Sequence, residues 1–95
     1  MTQYKLTNEA KMDLARIYWR GVEEFGEVQA ERYYEAFFSR FDEIAESPFK
    51  YQAVDHIREG YRRSVCGVDS IYYRQIDGAV EIMRVLGRQE ASETL

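Results

Sequence analysis

The sequence predicts an α+β domain in the order β-α-α-β-β-β, with a helical hairpin packed across one face of a small twisted antiparallel sheet. Two observations predict it. In the first half, apolar residues recur at spacings of three and four along two stretches separated by Gly26, which is the period of an α-helix with one buried face. In the last third, β-branched and aromatic runs are punctuated by Gly67 and by Asp77-Gly78, the dipeptide that best tolerates the positive φ of a tight hairpin turn.

Tyr4-Lys5-Leu6 is a short extended start, and Thr7 followed by Asn8 and Glu9 supplies an N-cap and an early acid for the first helix. Its stripe is Ala10, Leu14, Ile17, Tyr18, Gly21, Val22 and Phe25, and Gly26 breaks it. The second helix follows with Ala30, Tyr33, Tyr34, Phe37, Phe38, Phe41, Ile44 and Ala45, and Ser47-Pro48 stops it. So short a connection makes the two helices antiparallel neighbours. The aromatic ladder of the second helix reads as core packing against the sheet. Residues 49–57 show no period and read as a connecting loop holding the single, solvated His56. Three strands then run through Arg62, Tyr72 and Met83, and residues 91–95 are expected to fray. Residues 1–90 form one domain with no repeat.

Composition narrows the function classes. Hydrophobic content of 45% argues for a packed globule, and no apolar run approaches the roughly 20 residues of a membrane span. Without a signal-peptide pattern at the start, and with the lone Cys66 unpaired, the cytoplasm is the expected location. The net charge of -4 is unevenly placed: residues 8–46 carry ten acids against five bases, whereas residues 49–90 carry seven bases against six acids. Nucleic-acid binding through phosphates needs a concentrated basic face, and none is present, so the isolated chain is not expected to bind nucleic acid.

One cysteine and one histidine build no zinc site, and no glycine-rich phosphate loop or cofactor motif occurs. His56 and Cys66 sit in no nucleophile–base motif. Carboxylates on the helices, as in Asp13 with Arg16, read as a solvated face with arginine neighbours. The remaining feature is the cluster of Tyr61, Arg62, Arg63, Tyr72, Tyr73 and Arg74. Arginines here suit stabilisation of a phosphorane in RNA cleavage, tyrosine and arginine suit protein-binding hot spots, and both suit plain strand surface. Chemistry alone leaves all three open.

Arg58-Glu59-Gly60-Tyr61-Arg62, the hairpin into Ile71-Tyr72-Tyr73, and the final Ile82-Met83-Arg84-Val85-Leu86, set after a short start and a helical hairpin, resemble the ParE branch of the RelE/ParE toxin superfamily over residues 4–90. The resemblance implies a toxin of a type II toxin–antitoxin module, in hetero-oligomeric complex with a small antitoxin whose C-terminal segment wraps around it. It further implies poisoning of DNA gyrase, through the A subunit, by binding and without chemistry of its own, so that no residue is catalytic and no cofactor or metal is needed. The arginines Arg62, Arg63, Arg74, Arg84 and Arg88 are the candidates for the toxic surface, since guanidinium groups make forked bonds to carboxylates and phosphates.

The alternatives are a ribosome-dependent messenger RNA endoribonuclease of the RelE branch and a binding module without toxicity. RelE toxins resemble this chain less at two points. They carry an arginine after the glycine and aromatic residue that open the third strand, where Gly67-Val68 is followed here by Asp69, and they end on a tyrosine that residues 91–95 lack. Many ParE members have a histidine after the Arg-Val-Leu run, where this chain has Gly87. Antitoxin docking is expected on apolar surface between the helical hairpin and the sheet edge.

Overall fold

The computed structural model describes residues 3–87 together with Ala91, Thr94 and Leu95. The elements are β1 (Tyr4–Leu6), α1 (Asn8–Phe25), α2 (Glu27–Glu46), β2 (Gln52–Ala53), β3 (Arg62–Cys66), β4 (Asp69–Ile76) and β5 (Ala79–Gly87). The α+β class and the helical hairpin on the sheet are as the sequence predicts.

Local chemistry sets the boundaries. Thr7 accepts the Ala10 amide on its side chain and caps α1, and Gly26 at φ 90° ends it, a conformation that costs a residue without Cβ nothing. At the β4–β5 turn both Asp77 (φ 50°) and Gly78 (φ 75°) are left-handed, the signature of a type I′ hairpin. At the β3–β4 turn only the first central residue, Gly67 (φ 63°), is left-handed, as a type II′ turn requires.

The sheet runs β1-β5-β4-β3-β2 and is mixed, since β1 pairs parallel to β5 (Tyr4 with Val80, Leu6 with Ile82) while the other pairs are antiparallel. This refines the antiparallel sheet that the turn signals suggest: hairpin turns report only on strands adjacent in sequence, and β1 reaches β5 across the whole chain. Thr7 fixes that docking, donating its amide to Ile82 O (3.1 Å) and its hydroxyl to Met83 O (2.8 Å).

Both faces of the sheet are covered. On the helix side, Leu14, Phe37, Phe41 and Ile44 pack against Ile71, Tyr73, Ile82 and Val85, all nearly free of solvent. Burying each such side chain contributes about 1.5–3 kcal/mol. The opposite face holds Tyr72 and Leu86 beneath Val54, Tyr61 and Ala91. Adjacent residues on a strand point to opposite faces, so Tyr72 and Tyr73 are buried in different cores, and strand alternation carries no contrast there. A bulge between Tyr72 and Tyr73 leaves Met83 as an extra residue on β5, which lets Ile82 and Val85, three apart, both face the helices.

Two sequence expectations are corrected. Residues 49–57 do more than connect: β2 extends the sheet edge, and the fully buried Val54 donates its amide to Tyr61 O (2.8 Å) while covering the second face. Of the tail, Ala91, Thr94 and Leu95 are among the described residues. Ala91 is buried on that same face, and Leu95 packs there and donates to Ala91 O at 3.0 Å, because Tyr72 and Leu86 offer apolar surface to cover. Asp13, expected on a solvated face, is 4% exposed. It lies on the buried stripe between Ala10 and Ile17, and its carboxylate is held by Arg84 and by the Val85 amide.

Candidate functional site

The arginines singled out from the sequence separate into three environments. Arg62 stands opposite Tyr73 on β3, donates from Nη1 to Tyr51 O at 2.7 Å and lies 5.0 Å over the Phe49 ring. Arg74 on β4 pairs with Glu81 directly across on β5, Nε to Oε1 at 2.9 Å. Arg62 and Arg74 line one small cavity of about 250 Å³. Arg63 stands opposite Tyr72 and is half-buried, and its side chain has no hydrogen bond or ion pair among the described residues. Arg84 is turned to α1, where Asp13 Oδ2 accepts from Nε at 2.8 Å and Oδ1 from Nη2 at 3.0 Å. Arg88 lies outside the described residues. Among the described candidates, the cavity brings together only Arg62 and Arg74.

Asp13 serves a second purpose at the sheet edge. Beyond the three residues of β1, the outer side of β5 is met by α1: Val85 N donates to Asp13 Oδ2 (3.0 Å), and Val85 O accepts from Arg16 Nη2 (3.3 Å). Side chains of a helix thereby satisfy backbone groups that an open edge would present. At the other edge, Arg40 from α2 reaches past the two-residue β2 and donates from Nη1 to Val65 O (2.6 Å) and Ser64 Oγ (2.8 Å). Neither contact has a sequence signal beyond the residue type, although Asp13 betrays itself by lying three after Ala10 and four before Ile17 on the apolar stripe.

Between the hairpin and the β3–β4 turn runs a predominantly apolar groove of about 470 Å³. Its floor is low because Gly21 and Ala30 meet where the helices cross; a Cβ on Gly21 would stand 3.3 Å from that of Ala30. The walls are Phe25, Tyr33 and Val68, and the α1 stripe residues Ile17, Gly21 and Phe25 run along it. Phe25 is 62% and Val68 87% exposed.

The turn is fastened from below. The Tyr33 hydroxyl lies 2.8 Å from Cys66 O and 2.9 Å from Asp69 Oδ2, donating to this pair of acceptors, and its ring fills the space a Gly67 side chain would take. Burial, and then the bond to Asp69, push the Tyr33 phenol well above its ordinary value. Burial likewise raises the Cys66 thiol, against the lowering effect of Arg40, which keeps it protonated and unreactive. Tyr73 is pushed up to about 12 by burial, partly offset by Arg62, and donates to Pro48 O at 2.6 Å.

Among the described residues no group of three or more histidine, cysteine, aspartate or glutamate side chains is placed to hold a metal ion. None of the described helices is long and apolar enough to cross a membrane. The geometry offers recognition surfaces: one apolar groove and one arginine-lined cavity.

Comparison with known proteins gives consistent results. Residues 4–92 match the family model described as ParE toxin of type II toxin-antitoxin system, parDE. Toxin ParE1 of Caulobacter vibrioides is 36% identical over 86 residues, covering 90% of this chain and 88% of the relative. Toxin ParE1 of Mycobacterium tuberculosis is 31% identical over the same shares of the two chains. Among solved structures, a chain of the chromosomal ParDE TA system from P. aeruginosa superposes with a TM-score of 0.80 at 19% identity, over 92% of this chain and 96% of that one. A conserved hypothetical protein from Helicobacter pylori shares the fold at a TM-score of 0.59 and 17% identity, over 94% and 97% of the two chains.

Proposed function

This chain belongs to the ParE toxins of type II toxin–antitoxin systems, and from that premise we propose that it stops growth in the cytoplasm by binding DNA gyrase, through the A subunit, until a cognate antitoxin neutralises it. Binding alone does the damage in this reading, and the chain performs no chemistry. The observation that carries it is the state of Asp69. At the corner where the ribonuclease branch presents an arginine to the scissile phosphate, this chain has a carboxylate only 9% exposed and bonded to the Tyr33 hydroxyl. Asp69 is tied to the underside of the turn, and a negative group there repels phosphate rather than stabilising a phosphorane.

The arginines supply the complementary surface. Arg62 and Arg74 face one cavity and Arg63 is free of partners among the described residues, so guanidinium donors remain for carboxylates or for the phosphates of gyrase-bound DNA. Arg84 and Arg88 complete the proposed surface, Arg84 in addition to its bond with Asp13. The antitoxin is assigned to the apolar groove, because an exposed apolar channel beside a helical hairpin fits an amphipathic helix laid along it.

A supercoiling assay with purified gyrase tests the proposal. Loss of supercoiling with trapped, cleaved DNA and intact messenger RNA is the expected result. Cleavage of ribosome-bound message with gyrase unaffected would establish the ribonuclease reading, and antitoxin binding with neither effect would leave a non-toxic binding module.

A further inference from the structure

The groove carries charge as well as apolar surface. Arg20 on α1 and Arg32 on α2 line it one from each helix, near the level at which Gly21 meets Ala30. Both are exposed, and among the described residues neither side chain has a hydrogen bond, ion pair or ring contact. This is unexpected in a helical hairpin with twice as many acids as bases, where glutamates lie within one helical turn of each arginine. The acids that do line the groove are differently placed. Glu24 stands a turn further towards Gly26, and Asp69 is committed to Tyr33.

We propose that Arg20 and Arg32 form a two-sided clamp that selects an antitoxin helix whose apolar stripe is flanked on both sides by carboxylates. This rests on the assignment of the groove to the antitoxin and adds what the groove reads. The low floor at Gly21 and Ala30 takes the apolar stripe between Phe25 and Val68, while the arginines reach the acids at its margins. The pairs form at the rim, where water screens them, so they contribute modestly to affinity and more to choice of partner and to association rate. A basic helix of the same shape would set its cations against both arginines and be rejected. A second copy of this chain is a poor occupant, since the apolar stripes of its own helices, with Leu14, Phe37 and Phe41, are already buried against its sheet.

The test uses the full chain and two synthetic amphipathic helices of about 18 residues. They share one leucine and alanine stripe, flanked by glutamates in one and by lysines in the other. Fluorescence anisotropy should give the glutamate peptide an advantage of about tenfold at low salt, shrinking as salt rises. In the double variant R20E/R32E, whose exposed positions leave the core intact, the preference should invert. Equal affinities, an unchanged ranking in the double variant, failure of both peptides to bind, or a dimer of the chain that excludes them would each overturn the clamp. A parallel binding measurement with the protein encoded by the adjoining reading frame separates the two levels. Tight binding that R20E/R32E leaves unaltered removes the clamp and keeps the antitoxin reading, whereas no binding by the wild-type chain removes the antitoxin reading.

Discussion

Replacing Asp13 should cost this protein a large part of its stability, although the residue lies in a stretch of sequence that looks like helix surface. Asp13→Ala removes the acceptors of three hydrogen bonds at once: 2.8 and 3.0 Å from Arg84, and 3.0 Å from the Val85 amide. Breaking a buried ion pair from one side costs about 3–5 kcal/mol. The Arg84 side chain is 26% exposed and recovers part of that from water, while the Val85 amide is left buried, so we expect about 2–4 kcal/mol. For a domain of this size, whose whole stability is about 5–14 kcal/mol, the melting temperature should fall by roughly 10–30 °C. Asp13→Asn keeps an acceptor for Val85 but no charge for Arg84, and should lose about half as much. Urea unfolding of the full chain, followed by far-ultraviolet circular dichroism, would measure both through the midpoint at constant slope. A cycle with Arg84→Met should return a coupling of about 1–3 kcal/mol. Variants within about 0.5 kcal/mol of the wild type, or strictly additive losses in the cycle, would refute the claim that this carboxylate fastens α1 to β5. The same result bears on function, because loss of toxicity in an Arg84 variant counts towards the toxic surface only once folding has been shown to survive.

Three further outcomes follow from geometry. Gly67→Ala should destabilise by about 1–3 kcal/mol in thermal unfolding, since it places a Cβ at positive φ and 2.5 Å from the Tyr33 ring; Gly78→Ala, at positive φ but in open space, should lose less, about 1 kcal/mol. Buried Tyr73 and Tyr33 hold their protons to higher pH than the ordinary 10.0, so unfolding releases protons in alkali. Stability should be full below pH 10 and decline as pH rises through about 12, with Tyr73→Phe flattening the decline of melting temperature against pH. Arg40→Met exposes Val65 O on the β3 edge, and sedimentation should show concentration-dependent self-association that the wild type resists.

Much of the fold was legible because its signals are local. Thr7 as a cap, Gly26 as a break, the stripe of Phe37 and Phe41, and Asp77-Gly78 as a hairpin each depend on neighbours a few residues away. The parts that escaped are those decided by partners far along the chain. Asp13 looks like a surface acid until β5 arrives 72 residues later to claim it. The parallel pairing of β1, the cover that Val54 and Ala91 give to Tyr72, and the reach of Arg40 to Val65 are of the same kind. The candidate surface was legible in residue type and not in grouping: Arg62 and Arg74 share a cavity while Arg84 faces α1. Arg20 and Arg32 were indistinguishable from other helix arginines, because their lack of partners is a fact of three dimensions.

The pairing of Tyr4–Leu6 with Val80–Ile82 has a consequence for synthesis. The first strand has nothing to lie against until the last has been translated and has left the ribosome, so the sheet closes late, across a loop of some 75 residues whose ordering is slow. A growing chain can form its helical hairpin early and still lack the completed sheet. Completion of the sheet is therefore coupled to synthesis of β5, and a chain stalled before Val80 would have its helices and no finished sheet.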